Sequence, residues 1–151
     1  MALSGFTKSP PANYKMGLQL FTIREPLSKD VTGTLKKVAS IGYEDSETYG
    51  FDPDNVKYYG LKPFEFKQLL GDHGMTTTSG HYDFTKFFDK PAAAMKRYVD
   101  QCIVGAQALG QRYITWPWLD PAFRTIENFK LLTGKLNTIG EQIKKAGLGF
   151  A

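Results

Sequence analysis

Four helix-like runs in this chain end in glycine, and each is followed by a short strand-like run. The junctions are Ile41-Gly42-Tyr43, His73-Gly74-Met75, Leu109-Gly110-Gln111 and Ala146-Gly147-Leu148. Glycine just past a helix accepts the left-handed conformation that closes the last turn and lets the chain re-enter a sheet. Recurrence at intervals of roughly 30 to 40 residues is the rhythm of βα units, which bury a parallel sheet under helices. A fifth strand begins at Leu148 and the sequence stops at Ala151. The expected fold is α/β: residues 15–151 forming the front half of an incomplete (β/α)8 barrel. It would hold about four βα units and the start of strand five, with parallel strands inside and helices outside.

The pattern along the chain supports this alternation. A first strand is expected over Met16–Thr22, followed by a loop over Ile23–Lys29. Asp30 is placed to cap a helix with apolar positions Val31, Leu35, Val38 and Ile41. The second strand, Tyr43–Tyr49, is polar for a buried parallel strand. A long loop over Gly50–Lys62 carries Tyr58 and Tyr59, and Pro63 suits the first turn of the next helix. The third strand, Met75–Gly80, leaves His81 at its tip. A helix from about Pro91 repeats Met95, Tyr98, Val99, Cys102 and Ala106 on one stripe. The fourth strand, Tyr113–Trp116, runs into Pro117. A last helix capped by Thr125 steps through Phe129, Leu132, Leu136, Ile139, Ile143 and Ala146. Alternation of this kind leaves a doubly wound open sheet or a barrel, and both place chemistry at the C-terminal ends of their strands.

Composition narrows the partners. The net charge is +4, but the lysines are scattered over helix faces rather than gathered with aromatics, which argues against nucleic acid. No apolar run approaches the ~18 residues of a membrane span. A single cysteine, Cys102, excludes an intrachain disulfide framework and falls on an apolar stripe, where a packing role is expected. Met1–Tyr14 is Ser/Pro/Ala-rich and reads as a disordered leader or the stub of a trimmed export signal, leaving cytoplasm and periplasm both open. No G-x-G-x-x-G, P-loop or nucleophile elbow is present, against dinucleotide, nucleoside triphosphate and α/β-hydrolase chemistry.

The strand tips supply the candidate site. Strand one offers Gln19, Thr22 and Arg24; strand two Glu47; strand three His81 and Asp83; strand four Trp116 and Trp118. Carboxylate, imidazole, amide and indole on neighbouring strands suit a small polyhydroxylated ligand, with hydrogen bonds for its hydroxyls and an aromatic wall for its face. Asp45 and Glu47 share one face of their strand. If that face points into the barrel, a carboxylate there needs a partner; if outward, it is a solvated edge. His81 and Asp83 form an H-x-D pair that could hold a metal or serve as hydrogen-bonding contacts. His73, near a helix C-terminus, reads as structural. Trp116 and Trp118 either pack under their loop or line a pocket.

The ordered set of segments resembles a known family. Gly17-Leu18-Gln19-Leu20-Phe21-Thr22-Ile23-Arg24, then Gly33 to Tyr43 with Glu47, Phe66-Lys67-Gln68-Leu69-Leu70, Ser79-Gly80-His81, Tyr113 to Leu119 and Gly147 to Ala151 are similar to sugar phosphate isomerase/epimerases. These belong to the xylose isomerase-like TIM-barrel superfamily, and the resemblance covers residues 16–151. It implies a barrel about twice this length and a divalent metal (Mn, Mg, Co or Zn) held on strands five to eight. It further implies that two glutamates move a proton through an enediolate of a keto sugar. The implied metal ligands lie beyond this sequence. Glu47 and His81 match pocket-facing positions and are expected to contact substrate, as are Gln19 and Trp116. Ser46 departs from the family, which has an apolar residue there.

The leading expectation is therefore the N-terminal fragment of a metal-dependent sugar (phosphate) isomerase or epimerase, inactive alone, with a small sugar or sugar phosphate as ligand. The alternative is a non-catalytic carbohydrate-binding or half-barrel assembly module, a homo-oligomer formed through exposed sheet edges and an apolar inner face. A DNA-repair endonuclease of the same superfamily is disfavoured by the dispersed lysines.

Overall fold

The computed structural model describes residues 14–151. The leader expected over residues 1–14 falls outside the described residues except for Tyr14, which is exposed. Strands β1 (Gly17–Gln19), β2 (Asp45–Thr48), β3 (Thr76–His81), β4 (Tyr113–Thr115) and β5 (Gly149–Phe150) form one parallel sheet in the order β1-β2-β3-β4-β5. Helices α1 (Arg24–Lys29), α2 (Val31–Ser40), α3 (Pro63–Asp72), α4 (Ala92–Leu109) and α5 (Ile126–Lys145) connect them. A doubly wound sheet reverses its strand order. Consecutive order with right-handed crossovers instead puts every helix on one face and curls the sheet as a barrel does. Among the described residues β1 pairs only with β2 and β5 only with β4, so the arc is a partial barrel with two open edges.

Local chemistry sets the element ends. Gly42, Gly74, Gly110 and Gly147 all adopt positive φ, at 101°, 71°, 79° and 80°. Asp30 accepts from the Gly33 N–H at 2.9 Å and caps α2; Thr125 accepts from the Asn128 N–H at 3.1 Å and caps α5. Pro63 opens α3. Strand β1 ends at Gln19 rather than Thr22, because the Gln19 side chain captures the Phe21 N–H and turns the chain into a 3-10 turn, Leu20–Ile23. The loop expected over Ile23–Lys29 is mostly the short helix α1, which seats Leu27 in the core.

The core lies between sheet and helices, with Leu20, Leu35, Phe66, Val99, Ile114 and Ile143 fully buried. Cys102 is buried among them, and burial pushes its thiol up out of the reactive range. Helix α5 buries Leu132, Ile139 and Ile143 as its spacing predicts, but Phe129 is 51% exposed. Residues near the start of α5, Ile126 and Leu131 included, are exposed in the same way. Among the described residues no helix is long and apolar enough to cross a membrane.

The two faces of the sheet differ from expectation. Ser46, in the position where an apolar residue was anticipated, is buried and donates to the Thr76 carbonyl at 3.1 Å. Thr48 and Thr77 are buried on the same helix-side face. The opposite face is polar rather than apolar. Asp45 there accepts from Thr76 at 2.9 Å and Thr78 at 2.6 Å, beneath a second polar layer built on Glu47. Carboxylates are tolerated on this face because neighbouring strands supply their hydrogen bonds.

Gly80 shows how tightly the helix side of β3 is filled. A Cβ there would lie 2.5 Å from Thr48 Oγ1 and 3.0 Å from both Gln111 Oε1 and the Tyr82 ring. Gly80→Ala is expected to destabilise the fold by about 2–3 kcal/mol through overpacking. Gly71→Ala, in α3 with open space around it, should stabilise by up to ~1 kcal/mol through helix propensity. Urea unfolding of the two variants beside the parent checks both signs.

Candidate functional site

Where β2 and β3 pair, β3 carries one extra residue. Asp45 and Ser46 pair with Thr76 and Thr77, but Glu47 and Thr48 pair with Ser79 and Gly80, leaving Thr78 unmatched. Strict alternation from the buried Met75 and Thr77 would turn Ser79 and His81 toward the helices. The bulge shifts the phase by one, so Ser79 and His81 join Glu47 on the open face. His81 is the last residue of its strand and Gln19 the last of β1, which places the group at the C-terminal strand ends.

These side chains form one directional chain. The Phe21 N–H donates to Gln19 Oε1, so the amide NH2 faces the other way, toward His81 Nδ1 at 2.8 Å. His81 Nδ1 therefore accepts, which puts the ring proton on Nε2, 2.7 Å from Glu47 Oε1. The second carboxylate oxygen, Oε2, accepts from Ser79 Oγ at 2.5 Å. His81 and Glu47 are about one quarter exposed, at 25% and 27% of their side chains. Both remain reachable while their orientation is held from each side. The arrangement can present a fixed imidazole edge and a carboxylate to the hydroxyls of a ligand.

A cavity of about 670 Å³ opens at this end of the sheet. His81 lines it together with Phe21, Tyr49, Tyr82, Trp116 and Trp118. Trp116 packs edge-on against Phe84 with centroids 5.9 Å apart; its Nε1 is buried without a partner, so the ring, not the N–H, faces the space. A second cleft of about 680 Å³ lies between α4 and α5 on the outer layer. Its Lys96 pairs with Asp100 at 3.0 Å and its Lys135 donates to the Phe88 carbonyl, so that cleft offers no comparable convergence of reactive groups.

Of the expected site residues, Gln19, Glu47 and His81 meet in one cluster, and His81 and Trp116 line the cavity. Gln19 and Glu47 stand behind His81 rather than on the cavity wall. Asp83 and Trp118 also line the cavity, whereas Thr22 donates to the Gln19 carbonyl and Arg24 lies over the Phe21 ring. His81 and Asp83 do not act as a pair. Both imidazole nitrogens are engaged elsewhere, and Asp83 caps the turn at Thr85. Among the described residues there is no group of three His, Cys, Asp or Glu that could hold a metal ion. The resemblance implies metal ligands on strands beyond this sequence, and none of the side chains described is assigned to a metal. Residues absent from the expected set are Ser79, Tyr49 and Tyr82. The last two immediately follow β2 and β3, a position that was their only sequence signal.

The fold is similar to that of several solved structures. One is a sugar phosphate isomerase/epimerase from Parabacteroides distasonis, at 25% identity and a TM-score of 0.79 over 99% of this chain and 52% of that one. Another is the D-psicose 3-epimerase of Clostridium cellulolyticum solved with D-tagatose, at 16% identity and a TM-score of 0.64 over 91% of this chain and 51% of that one. The IolI protein solved with a zinc atom matches at 14% identity and a TM-score of 0.64, over 91% of this chain and 50% of that one. The structural neighbours are sugar phosphate isomerase/epimerases and other xylose isomerase-like TIM-barrel proteins, and this chain spans about half the length of the three described. No family model and no curated protein matches the sequence.

Aromatic hydroxyls behind the cavity link its integrity to pH. Burial, the leading cause, pushes the hydroxyls of Tyr58, Tyr59, Tyr82 and Tyr98 far above the usual tyrosine range. In the unfolded chain each would ionise near pH ~10. Above that pH the folded state holds more protons than the unfolded one, so stability falls as pH rises, by up to ~1.4 kcal/mol per pH unit for each tyrosine. In an alkaline titration these four of the eight tyrosines should ionise only as the far-ultraviolet circular dichroism is lost. Full tyrosinate absorbance with the helix signal intact would contradict this.

Proposed function

We propose that this chain supplies the substrate-holding side of a sugar isomerase or epimerase site, with a ketose or keto-sugar derivative as ligand. The observation that carries the reading is the Gln19–His81–Glu47–Ser79 chain at the tips of β1 to β3, with His81 facing an aromatic-walled cavity. A sugar offers hydroxyls on its edge and C–H groups on its face, so an oriented imidazole beside indole and phenyl rings matches both. The resemblance in fold to sugar phosphate isomerase/epimerases supports the same ligand class. His81 reaches a substrate oxygen by exchanging one of its two ring bonds, to Gln19 or to Glu47, while the other fixes the ring from behind, and Trp116 and Trp118 wall the cavity. Metal-dependent proton transfer between neighbouring carbons belongs to the proposal for a whole enzyme. The residues of this chain are assigned to holding substrate only.

Trp116 and Trp118 are the two tryptophans of the sequence, and both line the cavity. Intrinsic fluorescence therefore reads its occupancy directly. Titration with D-fructose, D-psicose or D-tagatose should shift the emission to saturation. His81→Ala should weaken the apparent affinity at least ~10-fold, about 1.4 kcal/mol. Emission unmoved by any ketose would remove the reading.

The two open sheet edges favour a second reading, a carbohydrate-binding or assembly module that closes its arc against another copy. On that reading light scattering gives a concentration-dependent mass of at least two chains. A monomer at high concentration counts against it.

A further inference from the structure

We propose that Gln111 is a positioning residue for the Gln19–His81–Glu47–Ser79 cluster, an inference that rests on reading that cluster as the ligand contact. Gln111 lies in the short connection from α4 to β4, on the helix side of the sheet, and is 3% exposed. A buried amide is unfavourable unless its donors and acceptor are all engaged. Here they are. Nε2 lies 2.8 Å from the Ser79 carbonyl, 2.9 Å from Thr48 Oγ1 and 3.1 Å from Thr77 Oγ1, while Oε1 lies 2.8 Å from the Tyr82 hydroxyl.

The bond directions follow from chemistry. The Ser79 carbonyl can only accept, so the amide nitrogen must face it and Oε1 must face Tyr82. Tyr82 then donates to Gln111 and accepts from Tyr58, whose hydroxyl is 2.6 Å away. Three of the four partners of Gln111 are a cluster residue or stand next to one in sequence. Thr48 follows Glu47, Tyr82 follows His81, and Ser79 carries the hydroxyl bound to Glu47.

Successive residues of a strand point to opposite faces. Fastening Thr48 and Tyr82 behind the sheet therefore fixes where Glu47 and His81 stand in front of it, and the bond to the Ser79 carbonyl holds Ser79 itself. The fastening also falls beside the unmatched Thr78, where the ladder is interrupted and backbone bonds alone define the register least. Gln111 is not among the residues lining the cavity beside His81; it acts through the strand ends.

The test is nitrogen-15 magnetic resonance of the imidazoles in the full 151-residue protein. Only His73 and His81 contribute, and His73 serves as the internal control. The parent should show His81 as a single Nε2–H tautomer, with widely separated protonated and unprotonated nitrogen signals. Gln111→Met, which removes both donors and the acceptor, should draw those two signals together while His73 stays put. Tyr82→Phe, which removes one donor, should move them the same way by less. Folded variants with an unchanged His81 signature would overturn the proposal. So would unfolding of both variants, which would make the knot a stability element alone. Ketose titration of the parent is read separately: if the parent binds no ketose, the ligand reading fails while the His81 signals still judge Gln111.

Discussion

Over their paired stretch β3 has one residue more than β2, and the site depends on that mismatch. Thr78 has no partner, and everything after it is out of phase with everything before it. Thr77 faces the helices and is buried, yet Ser79 and His81 bond to Glu47 on the other face. A bulge of this kind is a local irregularity with a large consequence, because a shift of one residue moves every later side chain across the sheet. Were β3 regular, the imidazole would be directed at the helices, and Glu47 would lose both its hydrogen-bond donors.

The bulge is held by polar side chains on the side of the sheet where apolar packing is the rule. Ser46, Thr48, Thr77 and Gln111 are all buried there, and each has its hydrogen bonds. Replacing any one by an apolar group strands its partners in a medium without water. The tyrosines extend this network into the loop over 50–62. That loop places Val56 and Tyr59 at φ of 49° and 53°, a conformation side-chain-bearing residues adopt at a cost. Aromatic anchoring is the compensation, with Tyr58 fully buried and Tyr59 accepting from the Tyr49 N–H at 3.0 Å. Since Tyr49 and Tyr82 also line the cavity, the loop, the knot and the cavity wall form one continuous structure.

The polar open face changes what the open edges imply. An apolar sheet face would demand a cover to avoid aggregation. This one carries Gln19, His81, Glu47 and Ser79 in one hydrogen-bonded chain and Asp45 bonded to Thr76 and Thr78, and is compatible with water or with a polar ligand. The edges remain a separate matter, since the outer sides of β1 and β5 are unpaired among the described residues. The chain matches about half the length of the three solved structures described above, in keeping with four βα units and the opening of a fifth from an eight-unit ring.

Much of the fold was legible in residue order alone. Glycines at four helix ends, caps at Asp30 and Thr125, and the apolar stripe of α4 are local signals, since each depends on neighbours within a turn or two. They place the helices, the parallel strands between them and the tip residues Gln19, Glu47, His81 and Trp116. Strand β1 was overextended because a side chain competing for one backbone N–H at Phe21 looks no different in sequence from one that does not. The stripe of α5 was overextended because burial needs a surface to pack on, and Phe129 is left half exposed. Which face His81 takes, the direction of every bond in its chain and the role of Gln111 all depend on register between segments about thirty residues apart. Pairing over that distance leaves no trace in local periodicity, so only the assembled sheet decides it.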